Sequence, residues 1–134
     1  MNDGASTIVV GWTPDEFGEV ALHRGVEEAR LRAGRVVVVN ATRGDALVDD
    51  RYADEEQLAR LTSVLSASGV EVDVRRSMGA DVGDQVLAVA ADVAADLVVI
   101  GLRRRTPVGK LLMGSVAQRI LLGAHCPVLA VKPA

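Results

Sequence analysis

Aromatic residues are nearly absent from this chain: one Trp, one Tyr and one Phe make up 2% of its 134 residues, although 49% of the sequence is hydrophobic. Its core must therefore be built from Val, Leu, Ala and Ile. A single cysteine, Cys126, excludes an internal disulfide and fits a reducing, cytoplasmic setting. No apolar run approaches the ~20 residues of a membrane span, and Met1 to Gly4 lacks the basic start and apolar centre of a signal peptide. Nor is there an excess of positive charge. The formal net charge of −3 argues against nucleic acid or an anionic membrane as the main partner. With no repeat, linker or low-complexity stretch, residues 1–134 read as one domain, long enough to bury roughly two-thirds of its unfolded surface.

What is present alternates. Thr7 to Gly11 reads as a buried strand; Thr13, with Pro14 next and Glu16 three residues on, reads as a capping box opening a helix. Leu22, Val26, Ala29 and Ala33 give that helix one apolar face, and Gly34 is expected to end it. Val36 to Val39 is a second strand and Thr42 to Arg51 a polar, acidic loop. Leu58, Leu61 and Leu65 mark a second helix closed by Gly69. Val70 to Arg75 alternates strictly, which predicts a third strand with one wet face at a sheet edge. Val82, Val86, Val89 and Val93 form the inner stripe of a third helix. Leu97 to Ile100 is a fourth strand, Ala117, Ile120, Leu121 and Ala124 face inward from a fourth helix, and Val128 to Val131 is a fifth strand. Strict alternation with right-handed crossovers predicts an α/β fold, an open doubly wound parallel sheet of five strands with helices on both faces.

The densest signal lies in the last third. An apolar run ends at Gly101, a basic loop carries Arg103, Arg104, Arg105 and Lys110, and Gly114-Ser115 opens a helical pattern that returns through Pro127 to the last strand. The spacing Gly101, two residues, Arg104, nine residues, Gly114, Ser115 resembles the nucleotide-binding loop of the universal stress protein family, in which the position of Arg104 is a glycine. The resemblance covers essentially the whole chain. It implies strand order 3-2-1-4-5, a Rossmann-like ligand cleft where the order reverses between strands one and four, ATP or another adenine nucleotide as ligand, magnesium only alongside nucleotide, and a homodimer.

Candidate binding residues follow from that cleft. Gly11, Trp12 and Thr13 end the first strand, Ala41 would lie near the base, and Gly101, Gly114, Ser115 and Val116 frame the loop and helix start. The helix N-terminus attracts an anion and Ser115 adds a hydroxyl; Ser115 with Gln118 is equally a capping box. Arg103, Arg104 and Lys110 either hold phosphates or serve as a solvated loop. Trp12 either stacks on a base or fills the cleft. Family members commonly have aspartate where this chain has Thr13 and glycine where it has Pro14. Together with Arg104, these departures predict weak ATP binding or preference for another adenine nucleotide or anion.

Other residues carry less. His125 and Cys126 are adjacent with no third ligand at metal-site spacing, so Cys126 reads as a small apolar strand opener and His23 as solvated. No general base or metal-binding acid stands near Gly114-Ser115, which predicts slow ATP hydrolysis at most and a stress-response regulatory module, not an enzyme. Two alternatives stay open. One is a family member without nucleotide that acts through protein contacts; the other is an adenylyl-transferring enzyme of related fold, for which Trp12-Thr13-Pro14 offers neither histidine nor glycine. Val128, Leu129, Ala130 and Val131 carry no charge, so as an edge strand they predict a homodimer paired through the fifth strand.

Overall fold

The computed structural model describes residues 6–42, 54–102 and 114–133. Strands and helices alternate along them: β1 (Thr7–Gly11), α1 (Glu16–Leu31), β2 (Arg35–Thr42), α2 (Glu55–Ala67), β3 (Val72–Met78), α3 (Val82–Asp92), β4 (Leu97–Gly101), α4 (Ser115–Gly123) and β5 (Val128–Val131). All pairings are parallel, in the order β3-β2-β1-β4-β5, so the order reverses between β1 and β4 as expected. Among the described residues no helix is long and apolar enough to cross a membrane.

Side-chain alternation divides the core in two. Ile8 and Val10 of β1 and Trp12 just beyond it, with Val36, Val38, Leu97 and Val99, pack under α1 and α2 through Leu22, Val26, Leu61 and Leu65. Val9, Val37, Val39, Val98 and Ile100 pack on the opposite face against Val86 and Ala90 of α3 and Ala117 and Ile120 of α4. In register, Val9 stands opposite Val37 and Val98. Continuous valine runs thus mark strands buried on both faces, where alternation with polar residues has no place.

Several ends differ from the sequence reading. β2 continues to Thr42 and β3 runs from Val72 to Met78, because the ladder pairs Asn40 with Arg76 and Thr42 with Met78 beyond the apolar stretch. β3 is an edge strand, with Asp73, Arg76 and Met78 exposed. Ala33, expected on the apolar face of α1, lies past its end, exposed and at φ 51°, so the left-handed turn that ends the helix falls one residue before the expected Gly34. Gly34 serves close packing instead: a Cβ there would lie 2.2 Å from the Ser6 carbonyl oxygen. On α4 the inward residues are Ala117 and Ile120. Leu121 is 37% exposed and Leu122 87%, and Ala124 is the C-cap, because this nine-residue helix offers the sheet only a narrow stripe.

Candidate functional site

Where β1 and β4 part, at the carboxyl ends of the strands, a cavity of about 250 Å³ opens on the α3–α4 side. Gly11, Trp12, Thr13, Ala41, Gly101, Gly114, Ser115 and Val116 all line it. Arg103, Arg104 and Lys110 lie outside the described residues. The apolar floor comes from Val39, Val86, Ile100 and Ile120, the same side chains that close the core on that face.

The β1 end is held by its neighbour. Trp12 N donates to the Val39 carbonyl at 2.9 Å, and the fully buried Asn40 donates from Nδ2 to the Trp12 carbonyl at 3.1 Å. Strand alternation carries the Trp12 ring to the α1–α2 face, where it is 4% exposed and fills core space with Leu22 and Leu61. The expected Thr13 cap is not formed. Asp15 is the N-cap of α1: its Oδ1 accepts from Phe17 N at 3.1 Å, Gly18 N at 3.0 Å and the Thr13 hydroxyl at 2.6 Å. Gly18 decides this, since a Cβ there would meet the Thr13 carbonyl oxygen at 1.7 Å; α1 therefore starts against the Thr13 backbone. With its proton committed to Asp15, the Thr13 hydroxyl keeps its lone pairs as acceptors.

At the other end of the cleft, α4 begins one residue earlier than a serine cap requires. Gly114 is the N-cap and Ser115 the first helical residue, and Gln118 N bonds to the Gly114 carbonyl at 3.0 Å, so the Ser115–Gln118 capping box is not formed. Ser115 is exposed, its hydroxyl not used for capping. The helix start thus presents backbone N–H groups and a free hydroxyl to the cavity, an arrangement that suits an anion. A Cβ at Gly114 would meet nothing within 4 Å. Arg119 Nε donates to Asp84 Oδ1 at 2.6 Å and ties α4 to α3 across Gly83.

Sequence reasoning missed several lining residues, among them Asp15, Phe17, Val82 and Leu102. Asp15 carried a signal, a cap-type residue just past a strand end and ahead of a helical pattern. Phe17 carried none, because only tertiary packing brings the α1 start against Gly101. His125 is exposed, Cys126 is half-buried with its thiol pushed up by burial and by Asp96, and no cluster of metal-ligating side chains occurs among the described residues.

Comparison with known proteins agrees in sequence and in fold. The universal stress protein family model matches residues 4–132. A universal stress protein of Mycolicibacterium smegmatis is 48% identical over 126 residues, 94% of this chain and 97% of its own length. The structure of a universal stress protein from Archaeoglobus fulgidus has a TM-score of 0.79 at 32% identity, covering 96% of this chain and 98% of that one. Another from that organism, in complex with dAMP, has a TM-score of 0.69 at 28% identity over the same shares. With strand order, loop spacing and near full-length similarity all in agreement, the chain belongs to the universal stress protein family.

Proposed function

We propose that the cleft binds an adenine nucleotide and that the protein works by binding it, as a regulatory module, not by turning it over. The observation that carries this reading is the convergence of Thr13, Ala41, Gly101 and Gly114 to Val116, from separate parts of the chain, on one cavity. Phosphate belongs at the α4 start, where N–H groups and Ser115 supply donors. The nucleoside belongs at the β1 end, where Thr13 accepts from a hydroxyl and Asp15, the one carboxylate among the described lining residues, repels phosphate. Related A. fulgidus protein in complex with dAMP supports an adenine ligand. At about 250 Å³ the cavity lies just below the roughly 300–1,000 Å³ of typical ligand pockets, which favours a monophosphate over a triphosphate.

Arg104 in place of the family's glycine points the same way: ATP binds weakly, magnesium enters only with a polyphosphate, and hydrolysis is slow at most for want of a general base near Ser115. A homodimer through Val128 to Val131 completes the proposal. The competing reading, a member that acts through protein contacts alone, draws on the self-satisfied Thr13–Asp15 pair. Isothermal titration is expected to show AMP binding more tightly than ATP with magnesium. Micromolar affinity for ATP, about −8.2 kcal/mol, overturns the Arg104 argument; no heat with any adenine nucleotide selects the competing reading.

A further inference from the structure

Gln85 of α3 joins three segments beside the nucleotide cleft. Its Nε2 donates to the Thr42 carbonyl at 3.0 Å, and its Oε1 accepts from the Ser77 hydroxyl. Thr42 ends β2 and Ser77 lies one residue from the end of β3, so one helical side chain ties α3 to both strands. A carbonyl only accepts, which fixes the end of the amide that faces Thr42. Gly79 N donates to the same carbonyl oxygen at 3.0 Å, and its lack of a side chain makes room: a Cβ there would lie 3.1 Å from Gln85 Cδ and Nε2. Gln85 does not itself line the cavity, but its neighbours do. Val82 and Val86, on the same helix, form part of one wall, and Ala41, the residue before Thr42, forms part of another.

We propose that Gln85 is a positioning residue of this cleft: it fixes the separation between Val82 and Val86 on α3 and Ala41 on β2, and with it the fit of the base. This rests on the nucleotide reading, which puts the nucleoside at the strand ends and the phosphate at the α4 start. A flat ring between apolar walls gains only from close contact, and a gap of roughly 0.5–1 Å forfeits about a quarter to a half of it. The valine side chains and Ala41 have no polar atom with which to hold that distance. Their packing with Val39 and Ala90 is non-directional, whereas the two Gln85 bonds have a set length and direction. The phosphate end is fastened separately, because Arg119 of α4 bonds to Asp84 of α3 at 2.6 Å. Loss of the Gln85 bonds therefore acts on the base and not on the phosphate.

The test is an NMR titration of the full chain with AMP and with ribose 5-phosphate, which carries the same sugar and phosphate without the base. Both should shift the amides of Ser115 and Val116, and AMP alone should show contacts from its base protons to the Val82 and Val86 methyls. Gln85→Met keeps the length and helix propensity of the side chain and removes both bonds. It should weaken AMP by about tenfold, the worth of a hydrogen bond, and leave ribose 5-phosphate unchanged. Ser77→Ala removes one anchor outside the helix; it should give a smaller loss for AMP alone, and none in the Gln85→Met background. A wild-type chain that answers to neither ligand overturns the nucleotide reading and this inference with it. With AMP bound by the wild type, four results overturn the role of Gln85 alone: undiminished AMP affinity in Gln85→Met or, should that variant not fold, in Ser77→Ala; an equal loss for both ligands, the mark of a merely structural residue; base contacts that persist unchanged in the variants; or no wild-type response to ribose 5-phosphate.

Discussion

Gly101 and Gly114 stand at the two ends of one loop and do different work. A Cβ on Gly101 would lie 2.4 Å from the Phe17 carbonyl oxygen, a backbone atom that cannot swing aside, whereas one on Gly114 would meet nothing within 4 Å. Gly101→Ala is therefore expected to destabilise the fold by about 1–3 kcal/mol through overpacking, and Gly114→Ala by about 0.5–1 kcal/mol as an N-cap change. Thermal melts with and without AMP separate the two: Gly101→Ala lowers the melting temperature throughout, and Gly114→Ala mainly reduces the ligand-induced shift. Cys126 offers another residue-scale test. Burial and, secondarily, Asp96 raise its thiol pKa, so the thiolate is scarce near neutral pH. Alkylation by iodoacetamide should be slower than that of a free thiol at pH 8 and approach it only at more alkaline pH; equal rates at pH 8 would count against this environment. Both glycines were legible as residue types at the correct spacing, but the reason for Gly101 was not, because Phe17 is remote in sequence.

At the scale of elements, the start of α1 shows how close the sequence comes and where it stops. Thr13 and Asp15 are both good caps by type, and choosing between them depends on how Gly18 fits against the Thr13 carbonyl. Asp15 then gathers three donors on one oxygen. Asp15→Ala should cost about 1–2 kcal/mol and lower the melting temperature by several degrees, while Thr13→Ala, which removes only the bond to Asp15, should cost less than half as much. If the two substitutions prove equal, Thr13 has a capping share that this geometry denies it. Similarly, the ends of β2 and β3 lie beyond their apolar runs because each strand supplies the other's backbone partners. Periodicity reports which face a residue takes, not where hydrogen-bond pairing ends.

For the whole molecule, the two sheet edges contrast. β3 carries Asp73 and Arg75, with Arg75 bonded to Asp73 at 3.0 Å and to Asp92 at 3.2 Å, charges that discourage pairing with another chain. β5 carries none, pairs with β4 on one side, and leaves all four of its residues partly exposed. We expect it to pair with its own copy about a two-fold axis. Leu129→Lys or Ala130→Pro should then yield monomer or aggregate. Light scattering that finds the unmodified chain monomeric at micromolar concentration would rule the pairing out.

By itself the sequence determined the element order, the two-face burial of the valine strands, the edge character of β3 and the candidate residues at the β1 and β4 ends. The first three follow from local periodicity, which a chain carries wherever it folds; the candidate residues follow from the resemblance that the loop spacing carries. Tertiary structure alone decided that Asp15 caps α1, that Gly101 is a packing glycine, that Leu121 is partly exposed, and that Trp12 turns its ring to the α1–α2 face. Each of those depends on a contact between segments distant in sequence. Cap-type residues, glycines and a lone tryptophan are locally compatible with more than one role, and only the neighbour that packing brings within a few ångströms selects among them.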